Sequence, residues 1–342
     1  MPKNKKLRIA INGFGRIGRT TLKCGWGRPG IEFVAVNDLT APSILAHLLK
    51  YDSVSRAWDH KVSSDDKNII IDGVKIPVLT EKEPTKLPWK EYKVDIVIES
   101  TGRFTKMELA KQHLDAGAKR VVISAPAKDV PTFLMGVNHT KCSANDKIIN
   151  NASCTTNSVA PVAAIMDEVF GVAKAMLTTV HAVTAEQNIV DSAPPPLHPD
   201  LRRARSALVN MVPTSTGAAK ATGEALPKFK GKFDGVAIRV PIIDVSLSDF
   251  TFLLKRKTTI EEVNKAFEKA AQSARWKNIL GVTHESLVSS DFIGSPYSSV
   301  VDLEMTKVVD GDLVKVMAWY DNEWGYSVHL MDIVEHIGSL IK

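Results

Sequence analysis

The sequence predicts an α/β protein in two parts, a Rossmann-type doubly wound parallel sheet followed by an α+β catalytic domain with a mostly antiparallel sheet. Three observations carry this. Short apolar runs alternate with helical stretches over the first 150 or so residues, a glycine-rich turn follows the first of those runs, and after about Ala173 the texture changes to longer segments of alternating polarity.

Leu7 to Asn12, Phe33 to Asn37, Val94 to Glu99 and Arg120 to Ser124 are the short apolar runs, with helical stretches such as Met107 to Ala116 between them. Such alternation implies parallel strands joined by crossover helices. Val159 to Phe170 reads as an apolar helix that ends at Gly171. Farther on, Asp244 to Leu254, Val300 to Val309 and Leu313 to Tyr320 alternate apolar with polar residues, as strands do when one face is buried. Asp310-Gly311-Asp312 joins the last two as a hairpin turn would. Thr259 opens a helix with Glu262 three residues on, a capping box, and Val263, Phe267 and Ala270 or Ala271 keep helical spacing. Ser327 to Ile341 reads as a closing amphipathic helix, and Pro194-Pro195-Pro196 as a rigid loop.

The 342 residues, 44% of them hydrophobic, can bury a substantial core in two domains. Met1 to Lys6 is basic, but the apolar stretch behind it is broken by Arg8, Asn12 and Gly13, so no signal-peptide core is present. No later stretch approaches the roughly 18 apolar residues of a membrane span. The expected location is the cytoplasm. Cys24, Cys142 and Cys154 make an odd count without CxxC spacing, which argues against a disulfide framework and against a metal site. The net charge of +6 comes from scattered Lys and Arg with no basic run interleaved with aromatics, so nucleic acid is not the expected partner. A basic pocket for small anions is.

Gly13-Phe14-Gly15-Arg16-Ile17-Gly18 follows the strand ending at Asn12 and leads into a helical stretch. Glycines there permit a tight turn and close backbone approach, so a pyrophosphate can sit on exposed amides at the helix N-terminus. A second strand ends in Asn37-Asp38, with Asp38 twenty residues beyond Gly18, where a carboxylate meets the ribose diol of a dinucleotide. An acid there repels a 2′-phosphate, so NAD is favoured over NADP. Ser153-Cys154-Thr155-Thr156-Asn157 precedes the apolar helix, which puts Cys154 at a helix N-terminus. The dipole, free amides and a nearby histidine cation would lower its pKa from about 8.5 into roughly the 3.5–7.5 range, the setting of a nucleophile.

Asn12 to Arg19 (NGFGRIGR), Asn151 to Asn157 (NASCTTN), Thr179 to Ala182 (TVHA), Pro213 to Ala221 (PTSTGAAKA), Arg239 to Pro241 (RVP) and Trp319 to Tyr326 (WYDNEWGY) together resemble the phosphorylating glyceraldehyde-3-phosphate dehydrogenase family. The blocks run in order over nearly the whole chain. The resemblance implies that Cys154 attacks the aldehyde and that His181 activates the thiol. It implies NAD held by Asn12, Gly13, Gly15, Arg16, Ile17, Gly18, Asp38, Lys82, Ser124, Asn322 and Tyr326. Of these Lys82 has the poorest local match. Thr184 and Arg239 would serve the phosphate of D-glyceraldehyde 3-phosphate, and Ser153, Thr155, Thr216 and Gly217 the attacking inorganic phosphate, with Arg203 in the same region. It implies a homotetramer, an NAD-binding domain at 1–153 completed by a C-terminal helix at 323–342, and a catalytic domain at 154–322.

This sequence departs from the family pattern in several places. Glu186 stands where many bacterial members carry aspartate, Ser158 replaces a frequent second cysteine, and the loop from Asp191 to Asp200 is longer than usual. Ser192-Ala193 follows Asp191 where strict NAD members have Leu-Pro or Gly-Pro, so the expectation is NAD preference with some NADP use. Two other readings compete. His198 to Arg203 looks like the erythrose-4-phosphate dehydrogenase branch, although Thr214 to Gly217 keeps the phosphate-site motif. A non-catalytic NAD-binding or RNA-binding module would have no need of Cys154, His181 and both anion sites.

Overall fold

A computed structural model describes residues 6–194 and 200–341. Pro195 and Pro196 of the proline cluster, and His198 and Pro199, lie outside the described residues. The chain forms two compact units, one from Met1–Leu134, His139–Ala152 and Ser327–Lys342, the other from Met135–Asn138 and Ser153–Tyr326.

The first unit runs β1 (Leu7–Asn12), α1 (Arg16–Gly25), β2 (Ile31–Asn37), α2 (Pro42–Lys50), a small ribbon of β3 (Tyr51–Asp52) and β4 (Arg56–Ala57), β5 (Val62–Ser64), β6 (Asn68–Ile71), β7 (Val74–Leu79), β8 (Ile96–Glu99), α3 (Met107–Asp115), β9 (Arg120–Ile123) and β10 (Ile148–Asn150). Its sheet has the order β10-β9-β8-β1-β2-β7-β6-β5. The strands from β10 to β7 pair in parallel, and β7, β6 and β5 form an antiparallel extension. All four residues of β8 and of β9 are buried, as expected of strands covered on both faces. The extension was missing from the sequence reading although Asp72-Gly73 signals it. Both residues have positive φ, 50° and 84°, and Ile71 pairs directly with Val74, the geometry of a two-residue hairpin.

The second unit contains α4 (Cys154–Phe170), β11 (Val172–His181), β12 (Val212–Ser215), α5 (Ala218–Ala225), β13 (Phe233–Arg239), β14 (Ser246–Leu254), α6 (Ile260–Gln272), β15 (Leu280–Thr283), β16 (Ser299–Val309) and β17 (Leu313–Tyr320). Its sheet has the order β12-β13-β11-β14-β17-β16-β15 and is antiparallel except for the β11–β13 and β15–β16 pairs. Helix α4 is apolar on nearly every face and packs Val159, Val162 and Met166 into one core with Phe250, Phe252, Val314 and Val316. The sequence places the β16–β17 turn correctly, with Asp310 and Gly311 at positive φ and Val309 facing Leu313. Thr259 accepts from the Glu262 amide at 3.2 Å as the predicted capping box requires, and the Glu262 carboxylate turns back towards the start of the helix, accepting from the Thr258 hydroxyl at 2.7 Å and from the Thr259 backbone. Helix α7 (Trp324–Ser339) starts in the second unit and continues in the first, where Asp332 pairs with Arg28 at 2.7 Å.

Candidate active site

At the end of β1 the chain turns at Gly13, where φ is +90° and an added Cβ would lie 2.7 Å from the Thr101 nitrogen. A Cβ on Gly18 would meet the Gly13 carbonyl at 2.2 Å, whereas one on Gly15 would project into open space. Two of the glycines are therefore needed for packing, and the third leaves room over the start of α1, whose first amides have no side-chain cap. Asp38 is fixed by two backbone donors, Phe14 N at 2.8 Å and Thr40 N at 3.0 Å. It borders a cleft of about 340 Å³ together with Asn12, Gly13, Gly15 and Lys82. Open backbone, helix terminus and aimed carboxylate fit the pyrophosphate and ribose of a dinucleotide. Arg16 spends its guanidinium on Asp52 at 2.5 Å, so what it offers the turn is its backbone. Ile17 is half-buried in the first turn of α1, and Ser124 follows β9 with its amide on the Glu99 carbonyl at 2.9 Å.

Beneath this cleft lies a buried network that the sequence reading missed. The Glu99 carboxylate accepts from Asn12 Nδ2 at 2.6 Å, His113 Nε2 at 3.0 Å and the Thr101 amide at 2.8 Å, and Trp89 donates to His113 Nδ1 at 3.0 Å. Asn12 in turn receives Asn37 Nδ2 at 2.6 Å, and Asn37 bonds both backbone groups of Glu81. One carboxylate thus ties together the ends of β1, β2 and β8 and the loop after β7.

In the second unit, Ser153 caps α4 by accepting from the Thr156 amide at 3.1 Å, and Ala152 before it holds φ at +52°. Cys154 is the first residue of α4, and its Sγ lies 3.6 Å from His181 Nε2 at the end of β11. His181 Nδ1 lies 2.7 Å from the Ala182 carbonyl, and the tautomer with its proton on Nδ1 donates there and leaves the Nε2 lone pair facing the thiol. Arg239 Nη1 donates to the same carbonyl at 3.0 Å and approaches Nδ1 at 2.9 Å. With a proton on Nδ1, the carbonyl is the acceptor both groups share. Tyr320 also went unread: its ring meets His181 edge-on with centroids 6.0 Å apart, and its hydroxyl bonds Thr155 at 3.0 Å and Thr179 at 2.8 Å.

Burial works against the lowered thiol pKa that the helix terminus alone suggests. It pushes Cys154 up, opposed by Arg239 and by the Thr155 hydroxyl and amide, and it pushes His181 down to about 3, reinforced by Arg239. Neither charge is favourable by itself. A thiolate and an imidazolium formed together at 3.6 Å compensate each other.

The predicted anion-binding residues of β13, the segments after β11 and before β12, and the start of α5 gather in this unit. Arg239 Nη1 lies 3.5 Å from Thr184 Oγ1, and Arg203, only 6% exposed, reaches Thr214 Oγ1 at 3.5 Å and forms a short ion pair with Glu186. Thr216 accepts from the Ala218 amide at 3.2 Å and Gly217 caps α5 with open space beside its Cα. The Thr155 hydroxyl is engaged with Tyr320. Asn322 Oδ1 accepts from Ser246 Oγ at 2.7 Å, and Ser246 accepts from the Ala182 amide at 3.1 Å, so the amide of Asn322 is oriented from beside His181. Tyr326 is buried four residues on.

Residues 7–107 match the family model described as glyceraldehyde 3-phosphate dehydrogenase, NAD binding domain, and residues 153–322 the one described as its C-terminal domain. Over 335 residues the chain is 50% identical to glyceraldehyde-3-phosphate dehydrogenase of Geobacillus stearothermophilus, covering 97% of this chain and 98% of that protein. It is 50% identical over 336 residues to the Streptomyces coelicolor protein of the same name, with 97% and 99% covered. Against glyceraldehyde-3-phosphate dehydrogenase 1 of Saccharomyces cerevisiae the identity is 46% over 334 residues, again with 97% and 99% covered. With relatedness of this depth along both units, the chain belongs to the glyceraldehyde-3-phosphate dehydrogenase family, an NAD-dependent group of oxidoreductases.

Proposed function

We propose that the chain carries out the glycolytic oxidation of D-glyceraldehyde 3-phosphate with NAD and inorganic phosphate, giving 1,3-bisphosphoglycerate through a thioester on Cys154. The observation that carries this is the Cys154 Sγ to His181 Nε2 contact at 3.6 Å, with Arg239 beside the same imidazole. Nε2 takes the thiol proton as sulfur bonds to the aldehyde carbon, returns it to the oxygen to complete the hemithioacetal, and then takes the hydroxyl proton as the carbon loses hydride. NAD, when bound, supplies the hydride acceptor. A phosphate oxygen then attacks the thioester carbonyl, the C–S bond breaks, and the Cys154 thiolate leaves.

On this reading Gly13, Gly15, Gly18 and the backbone of Arg16 and Ile17 receive the pyrophosphate and Asp38 the ribose diol. Lys82 and Ser124 flank the two ends of the cofactor, and Asn322 and Tyr326 hold the nicotinamide. Thr184 and Arg239 take the substrate phosphate, and Ser153, Thr155, Thr216 and Gly217 the attacking one, with Arg203 in the same region. The domains are taken as 1–153 with 323–342, and 154–322. A homotetramer is supported by Ile189, Val190, Leu208, Val209 and Met211, an exposed apolar set that calls for a second copy to cover it. A cytoplasmic location suits the three free cysteines. No helix among the described residues is long and apolar enough to cross a membrane.

The test is to mix purified protein with glyceraldehyde 3-phosphate and NAD, with and without phosphate. Reduced cofactor should form rapidly only when phosphate or arsenate is present. Equal rates without either would point to a hydrolysed thioester, as in the erythrose-4-phosphate branch, and no reduction at all would sink the enzymatic reading.

A further inference from the structure

Two guanidiniums sit close together in the second unit, Arg203 at 6% exposure and Arg239 with 12% of its side chain exposed. The positive charge of Arg203 acts against that of Arg239, and Glu186 acts in its favour. Glu186 Oε1 pairs with Arg203 Nη1 and lies 3.9 Å from Arg239 Nη2, so one carboxylate oxygen serves both cations. The two arginines are held by the fold, but Glu186 is one-third exposed. It is therefore the member of the triad that can swing away. Arg239 Nε, moreover, is buried with no hydrogen-bond partner among the described residues, a donor that the carboxylate leaves unused.

We propose that Glu186 is an internal anion of the Arg203–Arg239 pair, one that an incoming phosphate group must displace, and that this competition sets how tightly the site holds an anion. The proposal rests on the reading of Arg239 as a substrate-phosphate residue with Arg203 in the same anion-binding region. A monoanion that displaces Glu186 exchanges one negative charge for another and gains little. A phosphomonoester brings close to two charges and three acceptor oxygens, enough to occupy both guanidinium forks and the idle Nε. Glu186 thereby lowers the affinity for every anion that has to displace it, and a phosphate group has the acceptors to bind in spite of that cost.

The experiment is calorimetric titration of the full-length protein with inorganic phosphate and, separately, with formate. The variants are Glu186→Gln, Arg203→Gln and the double variant, each checked by circular dichroism. Glu186→Gln should tighten phosphate on the order of 10-fold or more and formate by no larger a factor, since a unit charge within a few ångströms of the ligand is removed. In the Arg203→Gln background the same substitution should have a smaller effect, because the carboxylate has lost the nearer of its two guanidinium partners. Unchanged or weaker phosphate binding in Glu186→Gln, with Arg203→Gln still reducing it, would overturn the competition and leave the anion site standing. Phosphate binding indifferent to Arg203→Gln would instead count against the site assignment itself.

Discussion

His181→Asn separates the two roles given to the imidazole, and its size can be worked from the geometry. A unit charge pair 3.6 Å apart in a partly buried site, with an effective dielectric near 20, attracts with about 4–5 kcal/mol, or ~3 pKa units. Burial alone raises the Cys154 thiol, and an imidazolium 3.6 Å away is the partner charge that proton transfer to His181 creates. Arg239, the Thr155 hydroxyl and amide and the start of α4 also favour the thiolate, and the substitution leaves them in place. Removing the histidine should therefore move the midpoint of Cys154 alkylation upward by roughly 2–3 pH units, somewhat less than the full pair energy because the thiol is not fully enclosed. Turnover should fall by about 10²–10⁴ with loss of the base. The assay is the rate of iodoacetamide labelling at Cys154, followed by mass spectrometry between pH 5 and 10 for both proteins. An unchanged midpoint would refute the paired ionisation, and unchanged turnover would refute proton transfer through Nε2.

Cys154→Ser should abolish dehydrogenase activity with little loss of fold, and labelling at neutral pH should reach Cys154 before Cys24 or the buried Cys142, whose thiol burial also pushes up. The kinetics of the serine variant and peptide mapping of the alkylated protein check the two halves. The unmodified protein should prefer NAD and use some NADP, and Asp38→Gly should shift kcat/KM towards NADP. An unmodified protein at least as efficient with NADP would show that the Ser192-Ala193 pair outweighs the Asp38 carboxylate. Gly18→Ala sets a methyl 2.2 Å from the Gly13 carbonyl and should weaken NAD binding at least 10-fold, readable by equilibrium titration. Asp244, pushed up to about 8 by burial and by Asp321, keeps its proton when folded, whereas the unfolded group ionises near pH 4. The folded state thus binds the extra proton, and stability falls as pH rises from about 4 to about 8. Asp244→Asn, which can still donate to Asp321, should gain Tm over the unmodified protein by roughly 3 °C or more at pH 8, and by less at pH 5. A constant difference across that range would remove Asp244 as the cause.

The elements most legible in the sequence are those whose pattern is local. Leu313–Tyr320 alternates so regularly that its predicted and observed bounds coincide, and the glycine turn is legible because each glycine answers a steric demand within a few residues. Asp72-Gly73 was equally local and was passed over because the strands it joins are only four and six residues long. The chemistry-bearing side chains were legible for a different reason: Cys154, His181, Arg239 and Asn322 each sit in a distinctive short block. Their supporting residues do not. Tyr320 acts by bonding Thr155 and Thr179, 165 and 141 positions away, and Glu99 gathers Asn12 from 87 positions away. Nothing in the local sequence distinguishes a tyrosine or glutamate so employed from one that faces water.

The same distance explains where local rules fail. Ala152 and Val245 both adopt left-handed backbone, at φ of 52° and 67°, and for a β-branched residue such as Val245 that is a marked departure. Each stands immediately before a serine that orients the chemistry: Ser153, which caps α4 beneath Cys154, and Ser246, which fixes the amide of Asn322. Both residues are completely buried, so surrounding packing holds the unfavourable conformation in place at a cost on the order of 1–3 kcal/mol each. The return is directional. With relaxed backbone at either position the serine hydroxyl would point elsewhere, the first turn of α4 would lose its cap, or the link from Ala182 through Ser246 to Asn322 would open. Strain at these two residues is thus part of how the second unit aligns Cys154, His181 and the amide of Asn322.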